Sequence, residues 1–170
     1  MTLIARLLTR FAALEDELNG LDAVAGDGDH GSTMLRGLRA AAIGPDPVVA
    51  FRTAAGGASG SLFAQVLAAL LAYQDGTPLP EALARAAARI GAVGQARPGD
   101  RTMLDALIPA SLQVDAATAG QAARIGAEAT RTMPARRGRA KHVEGAGLGH
   151  MDAGARSVAE MLAVLEGEAP

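Results

Sequence analysis

Apolar residues in this chain recur every three or four positions and hardly anywhere every two. Leu3, Ile4, Leu7, Phe11, Leu14 and Leu18 form one stripe along "LIARLLTRFAALEDELNG". That spacing lines one face of a 3.6-residue helix and cannot alternate across a strand. Alanine, leucine and arginine dominate while β-branched residues are sparse, so propensity agrees with period. The pattern predicts an all-α fold.

Punctuation divides the chain into about eight short helices. Gly20 stands where a left-handed C-cap would end the first. A second is expected from near Ser32 to about Ile43, and Asp46 followed by Pro47 is an N-cap and first-turn pair for a third. A fourth should follow "GGASG" and use Leu62, Phe63, Val66, Leu67, Leu70 and Leu71. Pro80 opens "PEALARAAARIGAVG", and a sixth helix restarts at Asp100, burying Leu104, Leu107, Ile108 and Leu112. Pro109 should kink that helix or end it early. Residues 115 to about 132 and 155–165 supply the last two. Short turns between them describe an antiparallel bundle or helical barrel, read as a single domain over 1–170. The basic stretch 131–150 is the exception, because loops that long are functional or disordered.

Charge and composition exclude several classes of function. Sixteen Lys and Arg against 18 acids give a formal net charge of −2, so no global field recruits nucleic acid or an anionic membrane. Aromatics are 2% of the chain, too few for a base-stacking surface. Cysteine is absent, which removes disulfides, thiolate metal sites and a catalytic thiol. The first segment is interrupted by Arg6 and Arg10 and lacks a signal-peptide core, and "SLFAQVLAALLAY" is too short to span a bilayer comfortably. The expected compartment is the cytoplasm.

Within this frame "AGDGDHGSTM", residues 25–34, stands out. Gly26, Gly28 and Gly31 satisfy G-x-G-x-x-G, but no strand precedes them and no βαβ alternation follows, so the dinucleotide reading fails. Asp27 and Asp29 also begin like an EF-hand, yet its twelfth position is Leu38 where a bidentate glutamate is needed. What remains is three carboxylates, Asp22, Asp27 and Asp29, at a helix start. Hard oxygen ligands of this kind suit Mg²⁺, which would let acids attract a phosphate they otherwise repel. Amides near Ser32 and Thr33 would face the anion, with His30 a phosphate donor rather than a metal ligand. The alternative is an acidic surface turn in which Asp22 and Asp29 cap helices and the glycines supply positive φ.

Three further turns share the style. "GGASGS" brings Ala58 and Ser59 to a helix start, or marks a tight helix crossing; "PGDRTM" could be ordinary capping by Asp100; "GLGHMDAG" repeats glycine, histidine, aspartate and glycine before the last helix. Four such turns could converge at one end of a bundle.

The motifs "LDAVAGDGDHGSTM", "GGASGSLF", "GDRTMLDAL" and "GRAKHVEGAGLGHMDAG" together span residues 21–154. In type and order they resemble the nucleotide-binding subunit or domain of dihydroxyacetone kinases. The resemblance implies a barrel of about eight antiparallel helices binding ADP or ATP at one end through two Mg²⁺ ions. Carried onto this sequence, Asp22, Asp27 and Asp29 are the metal ligands, and His30, Gly31, Ser32 and Thr33 contact phosphate. Ala58, Ser59, Gly99, Asp152, Ala153 and Gly154 border the nucleotide, with Leu62, Met103 and Ile108 lining the adenine pocket. One of Arg136, Arg137 and Arg139 should reach a phosphate, Arg137 being favoured; the alternative is a solvated basic loop. The resemblance also implies that the ketose, the substrate histidine and the deprotonating base lie on a partner, a dihydroxyacetone-binding kinase subunit. The phosphoryl donor would be exchanging ATP, or a phosphotransferase-system phosphocarrier that recharges a retained ADP. Acceptors such as a tetrulose or a fatty acid, or a non-catalytic ADP-binding regulatory role, are the other readings. Compared with the family pattern the chain is short at 36–56 and 107–133, which implies truncated helices there.

Overall fold

The computed structural model describes residues 1–137, 139–142, 145 and 147–166. Eight α-helices carry the fold: α1 (Leu3–Ala23), α2 (His30–Ile43), α3 (Pro47–Ala55), α4 (Gly57–Gln74), α5 (Leu79–Gly94), α6 (Leu104–Ser111), α7 (Ala116–Ala129) and α8 (Ala153–Ala163). Two 3₁₀ turns, Thr130–Thr132 and Arg139–His142, lie between α7 and α8, and there is no strand among the described residues. Each helix packs on the next, and α8 returns against α1, so the elements close into a ring. No helix is long and apolar enough to cross a membrane among the described residues.

The core follows from the stripes. Leu3, Leu7, Phe11, Leu14 and Leu18 of α1 are buried, as are Phe63, Val66, Leu67 and Leu70 of α4 and Leu79, Leu83 and Ile90 of α5. Caps fix where the elements begin. Asp46 accepts hydrogen bonds from the Val48 and Val49 amides at 3.0 Å, and Asp115 accepts one from Thr118 at 2.8 Å. Ring closure between α1 and α8 adds ion pairs to the shared apolar core. Glu160, 2% exposed, takes Arg10 from α1 and Arg156 from its own helix, and Arg156 also reaches Glu17 at 2.9 Å. A buried carboxylate is tolerable only when so paired.

Several boundaries differ from expectation for identifiable reasons. Gly20 does not end α1, which runs on to Ala23; one glycine costs a helix only about 1 kcal/mol, and the buried stripe from Leu3 to Leu18 outweighs it. α4 begins at Gly57 rather than after "GGASG", because Gly56 and Gly57, at φ +71° and +58°, make the turn and leave the small residues after them free to be helical. α6 begins at Leu104 rather than Asp100, and α8 at Ala153, capped by Asp152. Leu112 lies just past α6 and is 75% exposed, in a closing turn where the Leu112 and Gln113 amides bond to the Pro109 and Ala110 carbonyls three residues back. Pro109 has no amide to offer the Asp105 carbonyl. Gly126 of α7 packs on that carbonyl, so closely that a Cβ there would lie 2.1 Å from the oxygen. α3, nine residues long, falls in the first stretch read as short, and the eight-residue α6 overlaps the start of the second, which also holds the 14-residue α7.

Candidate functional site

An antiparallel ring with an even number of helices gathers alternate N-termini at one end. Here α2, α4, α6 and α8 all begin where α1, α3, α5 and α7 finish, and their positive dipole ends favour an anion. A cleft of about 520 Å³ opens at this end, within the range of small-molecule sites. Its walls come from every one of those junctions: Asp22 and Asp27, His30 and Thr33, Ala58 and Ser59, Ile90 and Gly94, Arg101 and Met103, Asp152 and Gly154.

The acidic loop forms one side. Asp22 sits in the last turn of α1, and its Oδ2 accepts hydrogen bonds from the Gly28 amide at 2.8 Å and the Asp29 amide at 3.2 Å. The loop is thereby folded back over the end of α1. Gly28 has φ +76°, and a Cβ on Gly26 would lie 2.4 Å from Asp22 Oδ1, so the hairpin needs glycine at both positions. One carboxylate oxygen from each of Asp22, Asp27 and Asp29 lies within 4.8 Å of the others. Oxygens facing each other across one Mg²⁺ are about 4.2 Å apart, so small side-chain movements bring these three onto an ion. The donor set and its spread fit the metal.

His30 opens α2 but turns inward. Its Nε2 lies 2.8 Å from Ser157 Oγ and its ring centroid 5.3 Å from that of Phe63. Burial lowers its pKa against the opposing pull of Asp22 and Asp29, which favours the neutral imidazole. Thr33 lines the cleft, whereas Gly31 and Ser32 do not. A Cβ on Gly31 would lie 2.2 Å from the Glu15 carbonyl, so this glycine permits the α1–α2 crossing. Ser32 donates from its amide to Asn19 Oδ1 and from its hydroxyl to Glu15 Oε1 at 2.7 Å. The amides expected to face an anion are thus engaged, that of Ser32 by α1 and that of Thr33 by the Asp29 carbonyl.

Ala58, Ser59, Leu62, Met103, Asp152, Ala153 and Gly154 all stand in the cleft wall with the acids. Ile108 packs against the core one turn beyond Leu104, away from the wall. Gly99 is also outside it, donating its amide to Asp105, which accepts from Thr102 as well at 2.8 Å. Arg137 lines the cleft and donates to Asp100 Oδ2 at 3.1 Å. Burial pushes the Asp100 carboxyl up, but the Arg97 amide and the Arg137 and Arg136 charges outweigh it and hold it below the usual range. The side chain of Arg139 falls outside the described residues. Asp152 caps α8 through the Ala155 amide at 2.8 Å, and burial drives its pKa up to about 6 against the lowering effects of that amide and Arg101.

Sequence reasoning passed over Arg36, Phe63, Ile90 and Arg101. Arg36 follows Thr33 by one turn, donating to Thr33 Oγ1 at 3.2 Å and to the α3 carbonyls of Ala54 at 2.8 Å and Ala55 at 3.0 Å. Its three-residue spacing from Thr33 put it on the same face, a readable signal. Phe63 likewise follows Ser59 by one turn. Phe63 read only as part of the apolar face of α4, while Ile90 and Arg101 lay unremarked within "PEALARAAARIGAVG" and "GDRTM".

A closed helical ring that brings an acid triad and the starts of four helices to one cleft defines a class by its architecture: an all-α ring module with its cleft at one end. Residues 48–167 match the DAK2 domain. Over 198 residues the chain is 36% identical to triokinase/FMN cyclase of Rattus norvegicus, covering 98% of this chain and 34% of that protein. It is 32% identical over 200 residues to the ADP-binding subunit DhaL of the PEP-dependent dihydroxyacetone kinase of Escherichia coli K12, covering 96% of this chain and 95% of that subunit. The crystal structure of C. freundii dihydroxyacetone kinase in complex with AMP-PNP and Mg²⁺ superposes with a TM-score of 0.73 at 30% identity, covering 96% of this chain and 32% of that one. The chain belongs to the DAK2 domain family and is of the DhaL type. It spans about a third of the length of the triokinase relative and nearly all of the E. coli subunit.

Proposed function

We propose that this chain, as a single domain over 1–170, is the Mg-nucleotide phosphotransfer component of a dihydroxyacetone kinase. The observation that carries this is the acid triad sharing one cleft with four helix N-termini. Asp22, Asp27 and Asp29 would hold one or two Mg²⁺ ions, and the start of α4 at Ala58 and Ser59 would receive phosphate. Leu62, Met103 and Ile90 offer apolar surface for a base, with Asp152 to Gly154 forming a further part of the wall. When bound, Mg²⁺ supplies charge neutralisation for phosphoryl transfer. Arg36 and Arg137 add positive charge at the wall.

In the proposed reaction the terminal phosphorus–oxygen bond of the nucleotide breaks and a bond to a ketose hydroxyl oxygen forms. The hydroxyl proton passes to a base on a ketose-binding partner subunit, in keeping with the subunit description of the E. coli relative. The donor is ATP or a phosphotransferase-system phosphocarrier recharging ADP, and the pools both draw on place the reaction in the cytoplasm. A tetrulose acceptor is the second reading, favoured by 36% identity over 182 residues to L-erythrulose 1-kinase of Mycolicibacterium smegmatis.

Calorimetric titration of ADP into the nucleotide-stripped chain, with Mg²⁺ and then with EDTA, tests the site. Binding should require the metal and vanish in Asp27→Asn with Asp29→Asn. Failure of the wild-type chain to bind would sink the reading. Ketose phosphorylation by the chain mixed with a dihydroxyacetone-binding subunit tests the reaction.

A further inference from the structure

Asp100 and Arg101, adjacent in the connection between α5 and α6, grip two separate stretches of the long segment after α7. Asp100 takes the Arg136 amide on its carbonyl and Arg137 on its carboxylate, both at 3.1 Å. Arg101 Nη2 donates to the carbonyls of Gly147 and His150, each at 3.0 Å, while Nη1 stands 4.0 Å from Asp152 Oδ1. The fit is close: a Cβ on Gly147 would lie 2.2 Å from the guanidinium carbon. Arg101 is buried, its side chain 3% exposed, and it holds a left-handed backbone at φ +61°, which few non-glycine residues adopt. Its Nε is buried without a hydrogen-bond partner. A charge this deep persists only where its surroundings are built for it.

We infer that Arg101 is a positioning residue of the nucleotide site: the turn 147–152 is wrapped round its guanidinium, which sets where Asp152 and the start of α8 stand at the cleft. Both Arg101 and Asp152 line that cleft. The turn has independent anchors. Arg131 brackets Gly149, donating to its carbonyl at 2.9 Å and accepting its amide at 2.8 Å, and Thr130 Oγ1 accepts the Asp152 amide at 2.8 Å. Removing the guanidinium therefore leaves the turn tethered and the ring closed, but takes away what the turn is shaped around. The consequence for ligand binding rests on the nucleotide reading above; the wrapping of the turn does not.

The test uses the 170-residue chain and its Arg101→Ala, Arg101→Lys and Gly147→Ala variants. Without ligand, the His150 amide, bonded to the Gly147 carbonyl at 3.0 Å, should exchange with solvent at least about tenfold faster in Arg101→Ala, with α1 amides unchanged. With Mg²⁺, the Kd for ADP should rise about tenfold or more in Arg101→Ala and in Gly147→Ala, while Mn²⁺ alone binds as before. Because a single nitrogen makes both carbonyl bonds, a lysine ammonium can stand in for it, and Arg101→Lys should recover part of the affinity. Unchanged His150 exchange in Arg101→Ala overturns the role of Arg101 whatever ADP does. Faster exchange with unaltered ADP affinity, or a lysine that restores nothing, overturns the positioning. Absence of ADP binding by the wild-type chain overturns the nucleotide reading instead.

Discussion

His30 Nε2 lies 2.8 Å from Ser157 Oγ, which fastens the first residue of α2 to the second turn of α8. With Phe63 of α4 against the same ring, three of the helices that begin at the cleft meet on one imidazole. Ser157→Ala leaves a buried ring nitrogen unpaired and should cost about 1–3 kcal/mol, read from the urea midpoint. In wild type, an NMR titration of His30 should give a midpoint below 6.5, because burial disfavours the charged ring. The unfolded chain then binds the proton more readily, so this residue's contribution is full above pH 6.5 and declines as pH falls towards the folded pKa.

Asp152 acts with the opposite sign. Its folded pKa is raised from 3.8 to about 6, so across that window the folded state keeps a proton that the unfolded state has released. Stability from this group is present below pH 3.8, is lost as pH rises to about 6, and stays lost above. Asp152→Asn keeps an acceptor for the α8 cap without the charge. It should exceed wild type in stability by about 1–3 kcal/mol at pH 7.5, with the difference gone near pH 4. Denaturant melts at the two pH values measure it.

Gly26→Ala should damage metal binding more than folding. Its Cβ would meet Asp22 Oδ1 at 2.4 Å and displace the carboxylate that ties the Gly28 and Asp29 amides. Affinity for Mn²⁺, used as a reporter for Mg²⁺, should drop about tenfold or more, as for other losses of a group that orients metal ligands. Thermal melting of the metal-free variant should move by only a few degrees. Unaltered Mn²⁺ binding would remove Asp22 from the ligand set.

Two helical glycines should respond in opposite directions to alanine. Gly20 has nothing within 4 Å of its Cβ position, so Gly20→Ala should stabilise α1 by about 0.5–1 kcal/mol. Gly126 meets the Asp105 carbonyl, so Gly126→Ala should force α6 and α7 apart and destabilise by about 2 kcal/mol or more. Urea midpoints of the two variants decide it.

The helices were legible because their signals are local. The stripe of α1 and the capping Asp46 of α3 depend on residues a turn or two away, whereas the cap of α8 by Asp152 was missed and its start read two residues late. The acid triad was legible for the same reason, its members lying between 22 and 29. Contacts across the ring were not. Ser32 turns to Glu15 and Asn19 on α1, and His30 to Ser157 far along the chain, pairings that no periodicity encodes. Gly31 read as a phosphate glycine because a glycine needed for helix crossing has the same letter. Arg101 was hidden by its partners, three positions between 147 and 152 that meet it only in the folded ring.

The antiparallel clasp of α8 on α1 also fixes where the two ends of the ring lie. Glu17 pairs with Arg156 nearest the cleft and Arg10 with Glu160 farther from it, so the chain enters through Leu3 and departs after α8 on the face remote from the acidic loop. Entry and exit are neighbours on that rear face. A tether attached there, to another domain or to a surface, hangs clear of the working mouth. The ring can therefore be spliced into a longer polypeptide, or re-cut at the turn between α2 and α3 with its old ends joined, while the cleft keeps the walls supplied by its four junctions.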